Sequence, residues 1–323
     1  MRAAMGQGQP LLRAALGDSV QTMTTPDFVT FYMEPELCQS AQAGKHNFIG
    51  KLANVVSRAG LEVQYVPFGS EGQRGGTEWS LNHIKSPLNE RGLCFRRVYH
   101  YPFWQIEQSA ERWSWDVAQT AFEPDSSDAA KAERFYKFWQ SRLFGGAPKN
   151  TKKDGFVYVP LQGKLLDHRP FQICSPIEMV KHCLAQTECP VIATLHPSES
   201  YSASETQALE ALEKSHARLT VQIGSMSDLI LGCDYIVTQN SSVAFNGYLF
   251  GKPALLFRKT DFHHIAVQAN LDDLAASFAE VKHTEPDYVA YLHWYWQKNS
   301  INAGRPEAEE RIAARLRRFG WPV

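Results

Sequence analysis

The sequence predicts an α/β protein made of two doubly wound, Rossmann-like units. Short apolar runs alternate with stretches of helical periodicity, first over residues 28–68 and again over 156–257. That alternation is the pattern of strands joined by crossover helices in a parallel sheet. Between the two regions, Gly145-Gly146-Ala147-Pro148-Lys149-Asn150 breaks both periods and leads into the solvated run Lys152-Lys153-Asp154, so it reads as a linker. A length of 323 residues is comfortable for two domains.

Each element has its own signal. Phe28–Met33 is an apolar strand. After Gly44 and Lys45, the spacing of Phe48, Ile49, Leu52, Val55 and Val56 places all five on one helix face. Gly60 stops that helix, and Leu61–Phe68 reads as the next strand. Residues 69–91 carry Gly72, Gly75 and Gly76 and read as a loop region. The stretch 95–115 is dense in aromatics: Tyr99, Tyr101, Trp104 and Trp113 are suited either to a small core or to stacking on sugar rings, the core being the commoner use. Helical periodicity resumes over 129–144, with Phe135, Phe138, Trp139 and Leu143 as its apolar positions.

The second region is more regular. Phe156–Pro160 is a strand. Ser175-Pro176-Ile177-Glu178 is a capping box with proline at the first helical position, and its helix runs to about Gln186. Pro190–Leu195 is a strand ending in His196-Pro197. Ser202 and Glu205 form a second capping box, opening a helix to about His216, and Ser225 with Asp228 caps a short one after the strand Leu219–Gln222. Tyr235–Thr238 is a buried strand; the polar turn Gln239–Ser242, a short helix, a stop at Gly251 and a strand at Ala254–Phe257 follow. The resulting division is residues 1–22 as an extension without structure of its own, 23–146 as the first domain, 151–284 as the second, and 285–323 as a helical tail.

Composition narrows the function classes. Hydrophobic residues are 44% and charged residues 21%, with a formal net charge of −1, so no global basic field recruits nucleic acid. Six cysteines (38, 94, 174, 183, 189 and 233) are scattered without a C-x-x-C pair, which fits a reducing cytoplasm and no zinc knuckle. His263-His264 has no acidic or cysteine partner at ligand spacing, so no metal is assigned. No apolar run reaches the roughly 18–20 residues that span a bilayer. In the tail, Arg311, Arg315, Arg317 and Arg318 alternate with Ile312, Leu316, Phe319 and Trp321. A basic amphipathic helix of this kind can lie on an acidic membrane surface, a peripheral association with the inner membrane. Glu307, Glu309 and Glu310 dilute the charge and favour packing on the protein itself.

Three polar clusters follow consecutive strands of the second domain: Gln162 to Asp167, His196-Pro197, and Asn240-Ser241-Ser242. Strands of one parallel sheet point the same way, so the three loops converge on one edge, where open α/β sheets bind ligands. Free backbone N–H groups and hydroxyls at the helix start after Asn240 favour an anion such as phosphate; the alternative is a plain helix cap. A carboxylate, an imidazole and this helix end together suit transfer of a phosphate-activated group. Asp167 would accept a proton from an attacking hydroxyl, or merely cap its turn. His196 and the helix end would stabilise the departing phosphate.

Val159-Pro160-Leu161-Gln162 with Asp167, Leu195-His196-Pro197, and Gln239-Asn240-Ser241-Ser242-Val243 followed by Gly251-Lys252-Pro253 resemble the capsule polysaccharide biosynthesis glycosyltransferases. These include bacterial β-Kdo transferases and sialyltransferase-like enzymes. The resemblance covers about residues 156–265. It implies the GT-B fold, two Rossmann-like domains facing a central cleft, with the sugar nucleotide on the C-terminal domain and the acceptor on the N-terminal one. It implies that Gln162, His196, Pro197, Asn240, Ser241 and Ser242 contact the nucleotide, that Asp167 and His196 are catalytic, and that no cofactor beyond the donor sugar is needed. Two departures stand out: Gln162 and Asp167 are five apart where the family usually spaces four, and Ala244 and Asn246 stand where it often has glycine and then glutamate or another small residue.

The expected function is therefore transfer of a sugar, such as Kdo or another acidic sugar from a CMP donor, to a cell-surface polysaccharide or glycolipid by a cytoplasmic enzyme. The alternatives are a sugar-nucleotide 2-epimerase or hydrolase of the same fold and a non-catalytic nucleotide-sugar-binding relative.

Overall fold

The computed structural model describes residues 28–70, 78–125 and 128–323. The extension 1–22 and the glycines at 72, 75 and 76 lie outside the described residues. In chain order the first half comprises β1 (Phe28–Met33), α1 (Pro35–Gln42), α2 (Asn47–Arg58), β2 (Glu62–Pro67), β3 (Trp79–His83), β4 (Gly92–Arg97), β5 (Phe103–Glu107), α3 (Asp116–Gln119) and α4 (Ala129–Phe144). The second half comprises β6 (Val157–Pro160), α5 (Pro176–Gln186), β7 (Val191–Leu195), α6 (Ala203–Ser215), β8 (Leu219–Ile223), α7 (Met226–Gly232), β9 (Tyr235–Thr238), α8 (Ser242–Tyr248), β10 (Ala254–Leu256), β11 (Val267–Gln268) and α9 (Leu274–His283). The chain closes with α10 (Tyr288–Leu292), a π-helical turn at His293–Lys298, β12 (Ile301–Asn302) and α11 (Ala308–Arg318).

Two six-stranded sheets result, ordered β12-β5-β4-β3-β1-β2 and β11-β10-β9-β6-β7-β8. The second is parallel throughout. In the first, β1 to β4 are parallel, while β5 runs antiparallel to β4 and β12 antiparallel to β5. Together they form the two facing Rossmann-like domains of the GT-B fold.

Local signals explain most elements. In α2 the five expected residues are all buried. Both capping boxes form with reciprocal bonds, Ser175 with Glu178 and Ser202 with Glu205. Gly251 ends the segment after α8 at φ +66°, a conformation that suits glycine. A Cβ on Gly247 would stand 2.5 Å from Ile236 Cδ1, so glycine lets α8 lie close on β9.

Three local expectations are corrected. Ser225 has left-handed φ of 59° and its side chain makes no cap bond. Phe138 is 59% exposed, and α4 buries Ala132 and Tyr136 alongside the expected Trp139. The tail is not a helical appendage alone: β12 joins the first sheet beside β5, and α11 packs against α2. Ile312, Leu316 and Trp321 are buried, so the apolar face of that helix is occupied by its own chain. Arg315 pairs with Glu107 at 2.6 Å and also with Asp116. Among the described residues no helix is long and apolar enough to cross a membrane.

The two halves share a core. Tyr136 and Gln140 of α4 donate to the carbonyls of Tyr248 (2.8 Å) and Leu249 (2.7 Å). Trp296 of the tail stacks on Phe103 at 4.7 Å and meets Phe245 at 5.1 Å. Buried Lys252 of the Gly-Lys-Pro segment donates to the carbonyls of Lys152 and Cys233, fastening the start of the second domain.

Candidate active site

A cavity of about 230 Å³ opens between the domains, lined by Arg96, Arg97, Val98, Tyr99, Arg112 and Trp115 from the first half and by Gln162, Asn240, Ser242 and Asp261 from the second. Arg96 and Arg97 sit there because they end β4, and Gln162 and Asn240 because they follow β6 and β9 at the carboxyl ends of their strands.

Asp261 is the electrostatic anchor and is wholly buried. It accepts from Tyr99 Oη at 2.6 Å, from Thr260 Oγ1 at 2.8 Å and from Tyr295 Oη, and faces Arg112 Nη1 at 3.4 Å. Burial alone would raise its pKa, but Arg112 and the three hydroxyl donors outweigh burial and hold it below the usual carboxylate range. Arg112 also donates to Tyr99 Oη at 2.7 Å and to the Asn240 carbonyl at 3.3 Å.

The Asn240 amide, oriented to satisfy its neighbours, donates to Gln162 Oε1 at 2.7 Å and accepts from Arg258 Nη1 at 2.8 Å and Arg112 Nη2 at 3.1 Å. Arg258 is buried, with its guanidinium 3.2 Å from the Phe171 ring centre and 4.5 Å from that of Trp113. Burial, then Arg112 and Arg169, pull its pKa down to about 9, so it stays charged at neutral pH. Arg96 is lowered by burial and then by Arg112. Several guanidiniums thus converge where Asp261 is the only carboxylate lining the cavity among the described residues. Mutual repulsion in a partly desolvated cleft is relieved by an anion.

The sequence candidates separate. Gln162, Asn240 and Ser242 line the cavity. Ser241 is the N-cap of α8, its side chain accepting from Val243 N at 3.3 Å. His196 and Pro197 are exposed on the loop after β7, where His196 Nδ1 accepts from Ser198 N at 3.2 Å. Asp167 is exposed in a turn whose amide bonds to the Lys164 carbonyl at 3.3 Å. Neither lines this cavity. Arg96, Arg97, Arg112, Arg258 and Asp261 were not singled out by sequence reasoning. Arg96, Arg97 and Arg258 carry one signal, charge appearing directly after the apolar runs Leu93–Phe95 and Ala254–Phe257; Arg112 and Asp261 carry none.

A larger cavity, about 900 Å³, lies between α4 and the tail and is lined by Phe135, Phe138, Trp139, Arg134 and Arg305 among others. No residue of the second sheet reaches it among the described residues, and its carboxylate, Asp128, is tied to Lys131 and Lys298. The smaller, charged cavity at the strand ends is the candidate site.

The fold defines the class first: two Rossmann-like domains with a cleft between them. A solved structure, Thermosulfurimonas dismutans KpsC, a beta Kdo 2,7 transferase, is similar with a TM-score of 0.51 at 13% identity, covering 91% of this chain and 99% of that one. Others are WaaG, a glycosyltransferase involved in lipopolysaccharide biosynthesis (TM-score 0.40, 9% identity, 90% and 99% covered), and the Neisseria meningitidis UDP-GlcNAc 2-epimerase bound to UDP-GlcNAc (0.35, 10%, 90% and 99%). At such identities the likeness to KpsC speaks for the fold, and the other two carry no weight for function. No protein-family model matches the chain, and no curated protein does.

Proposed function

We infer that the chain is a glycosyltransferase that draws its sugar from a nucleotide donor whose phosphate sits in the arginine-lined cavity. The convergence of Arg96, Arg97 and Arg112 on a cavity lined by one buried carboxylate carries this reading. Arg96 and Arg112, the latter held by Asp261, would bind the phosphate oxygens and stabilise charge on the departing nucleotide, with Arg258 bracing Asn240 from behind. Ser242 and Gln162 would add neutral hydrogen bonds. The surplus of positive charge also favours a donor sugar that carries a second anionic group, such as Kdo on CMP. The acceptor on this reading is a cell-surface polysaccharide or glycolipid reached from the cytoplasmic side. Asp167 and His196, exposed on flanking loops, are assigned no proton transfer.

The test is a thermal-shift screen of CMP, UDP, GDP and their sugars, followed by nucleotide release with and without acceptor glycosides. A ligand that binds the folded state raises the melting temperature. Stabilisation by one nucleotide, with acceptor-dependent release, supports the transferase. Alteration of the sugar nucleotide with no acceptor present favours the epimerase, and stabilisation without turnover the non-catalytic relative.

A further inference from the structure

A second cavity, about 340 Å³, adjoins the first on the N-terminal side, sharing Arg96 and Arg97 with it. It is also lined by His46, His83, Tyr101 and Trp104. His83 ends β3 and Glu34 directly follows β1, so both stand at the carboxyl edge of the first sheet. Their side chains meet, with His83 Nδ1 2.7 Å from Glu34 Oε2. A carboxylate can only accept there, so it places the hydrogen on Nδ1 and leaves Nε2 as a lone-pair acceptor. His83 is packed beside Phe95 (5.2 Å) and Trp104 (6.4 Å), which fixes the ring. Tyr101, half exposed and accepting from Asn47 Nδ2 at 2.7 Å, offers a face at the mouth.

We propose that His83, oriented by Glu34, is the general base that takes the proton from the acceptor hydroxyl, and that this N-terminal cavity is the acceptor subsite. The inference rests on the transferase reading above. In the step, His83 Nε2 takes the hydroxyl proton and the acceptor oxygen bonds to the donor's anomeric carbon. The bond from that carbon to the phosphate oxygen breaks, and its electron pair leaves with the nucleotide, beside Arg96 and Arg112. Nothing else is consumed. Glu34 is a positioning residue: it fixes the tautomer and stabilises the imidazolium as it forms.

Burial, with Arg96 and Arg97, lowers the pKa of His83 against the opposing pull of Glu34. His46, the other imidazole in the cavity, is lowered by burial and then by His83. The imidazole is therefore neutral, and able to act as a base, at pH 7.

The experiment measures nucleotide release from CMP-, UDP- and GDP-sugars, with octyl glycosides or water as acceptor, in wild type, His83→Gln, His83→Ala and Glu34→Gln. The expected loss for His83→Gln is about 10²–10⁴-fold in kcat, with the ligand-induced melting shift retained. Added imidazole should restore part of the activity of His83→Ala, and Glu34→Gln should lose less than His83→Gln while moving the acidic limb of the pH profile. Unchanged kcat in His83→Gln beside an active wild type overturns this inference alone. A loss that imidazole does not restore, matched by a lost melting shift, marks a structural role and overturns it too. A wild type that binds no nucleotide overturns the transferase reading, and this inference with it.

Discussion

Replacing Asp261 with Asn should be the most damaging single change near the cleft. The carboxylate is wholly buried and balances Arg112, while accepting from three hydroxyls. The amide keeps the shape but removes the charge, so Arg112 loses its ion-pair partner, and one amide edge presents N–H groups to a hydroxyl that formerly donated. Breaking a buried pair by removing one partner costs about 3–5 kcal/mol. At about 2–4 °C per kcal/mol, the melting temperature should fall by roughly 6–20 °C. Melting followed by circular dichroism measures it. Asp261→Asn/Arg112→Met should recover part of the loss, because it removes the stranded guanidinium. The pH dependence has a definite sign. The folded-state pKa of Asp261 is depressed, so its contribution is complete above the unfolded value of about 3.9 and disappears as pH falls through the lower folded value. The gap between wild type and variant should therefore stay constant from pH 5 to 8 and close only in stronger acid. A drop under about 2 °C, or a gap that closes near pH 6, would refute the reasoning.

Other perturbations probe the frame around the site. Gly247→Ala places a methyl 2.5 Å from Ile236 Cδ1 and should destabilise by about 1–3 kcal/mol; Ile236→Val in the same chain should restore most of it, as read by urea unfolding. Burial pushes Glu107 up to about 7 despite Arg315 at 2.6 Å, and the neighbouring Asp116 charge adds to the rise. A raised folded pKa means stability is present below the unfolded pKa and lost as pH rises through about 7. The melting temperature of Glu107→Gln should thus gain on wild type between pH 5 and 8, and a flat difference would contradict the assignment. Asp167→Asn should leave both melting temperature and nucleotide release close to wild type, since its carboxylate is exposed outside the charged cavity.

The second domain was largely legible in the sequence because its signals are local. Capping boxes at Ser175 and Ser202 and the strand–turn–helix around Asn240 depend on residues a few positions apart, and they formed as read. Helix α2 was equally legible from its one apolar face. Of the residues lining the candidate cavity, only Gln162, Asn240 and Ser242, all of the C-terminal half, were legible as nucleotide contacts. Arg96 and Arg112 belong to no spaced motif; Arg112 reaches Asn240 and Asp261, and Arg96 lines the same cavity, only because the two halves of the chain face each other. The Glu34–His83 contact spans 49 residues and exists because β1 and β3 are neighbours. The tail misled for a related reason: its helical period was correct, but nothing local announces that Ile301–Asn302 pairs with β5.

Binding of the preferred nucleotide by titration calorimetry, compared between wild type and Arg96→Met, bears most directly on the account. Removing a charge-assisted contact worth about 1.5–3 kcal/mol should weaken binding roughly ten- to a hundredfold while the protein stays folded. Equal affinity in the two proteins, or no binding of CMP, UDP, GDP or their sugars by wild type, would contradict the assignment of the arginine-lined cavity to a donor phosphate.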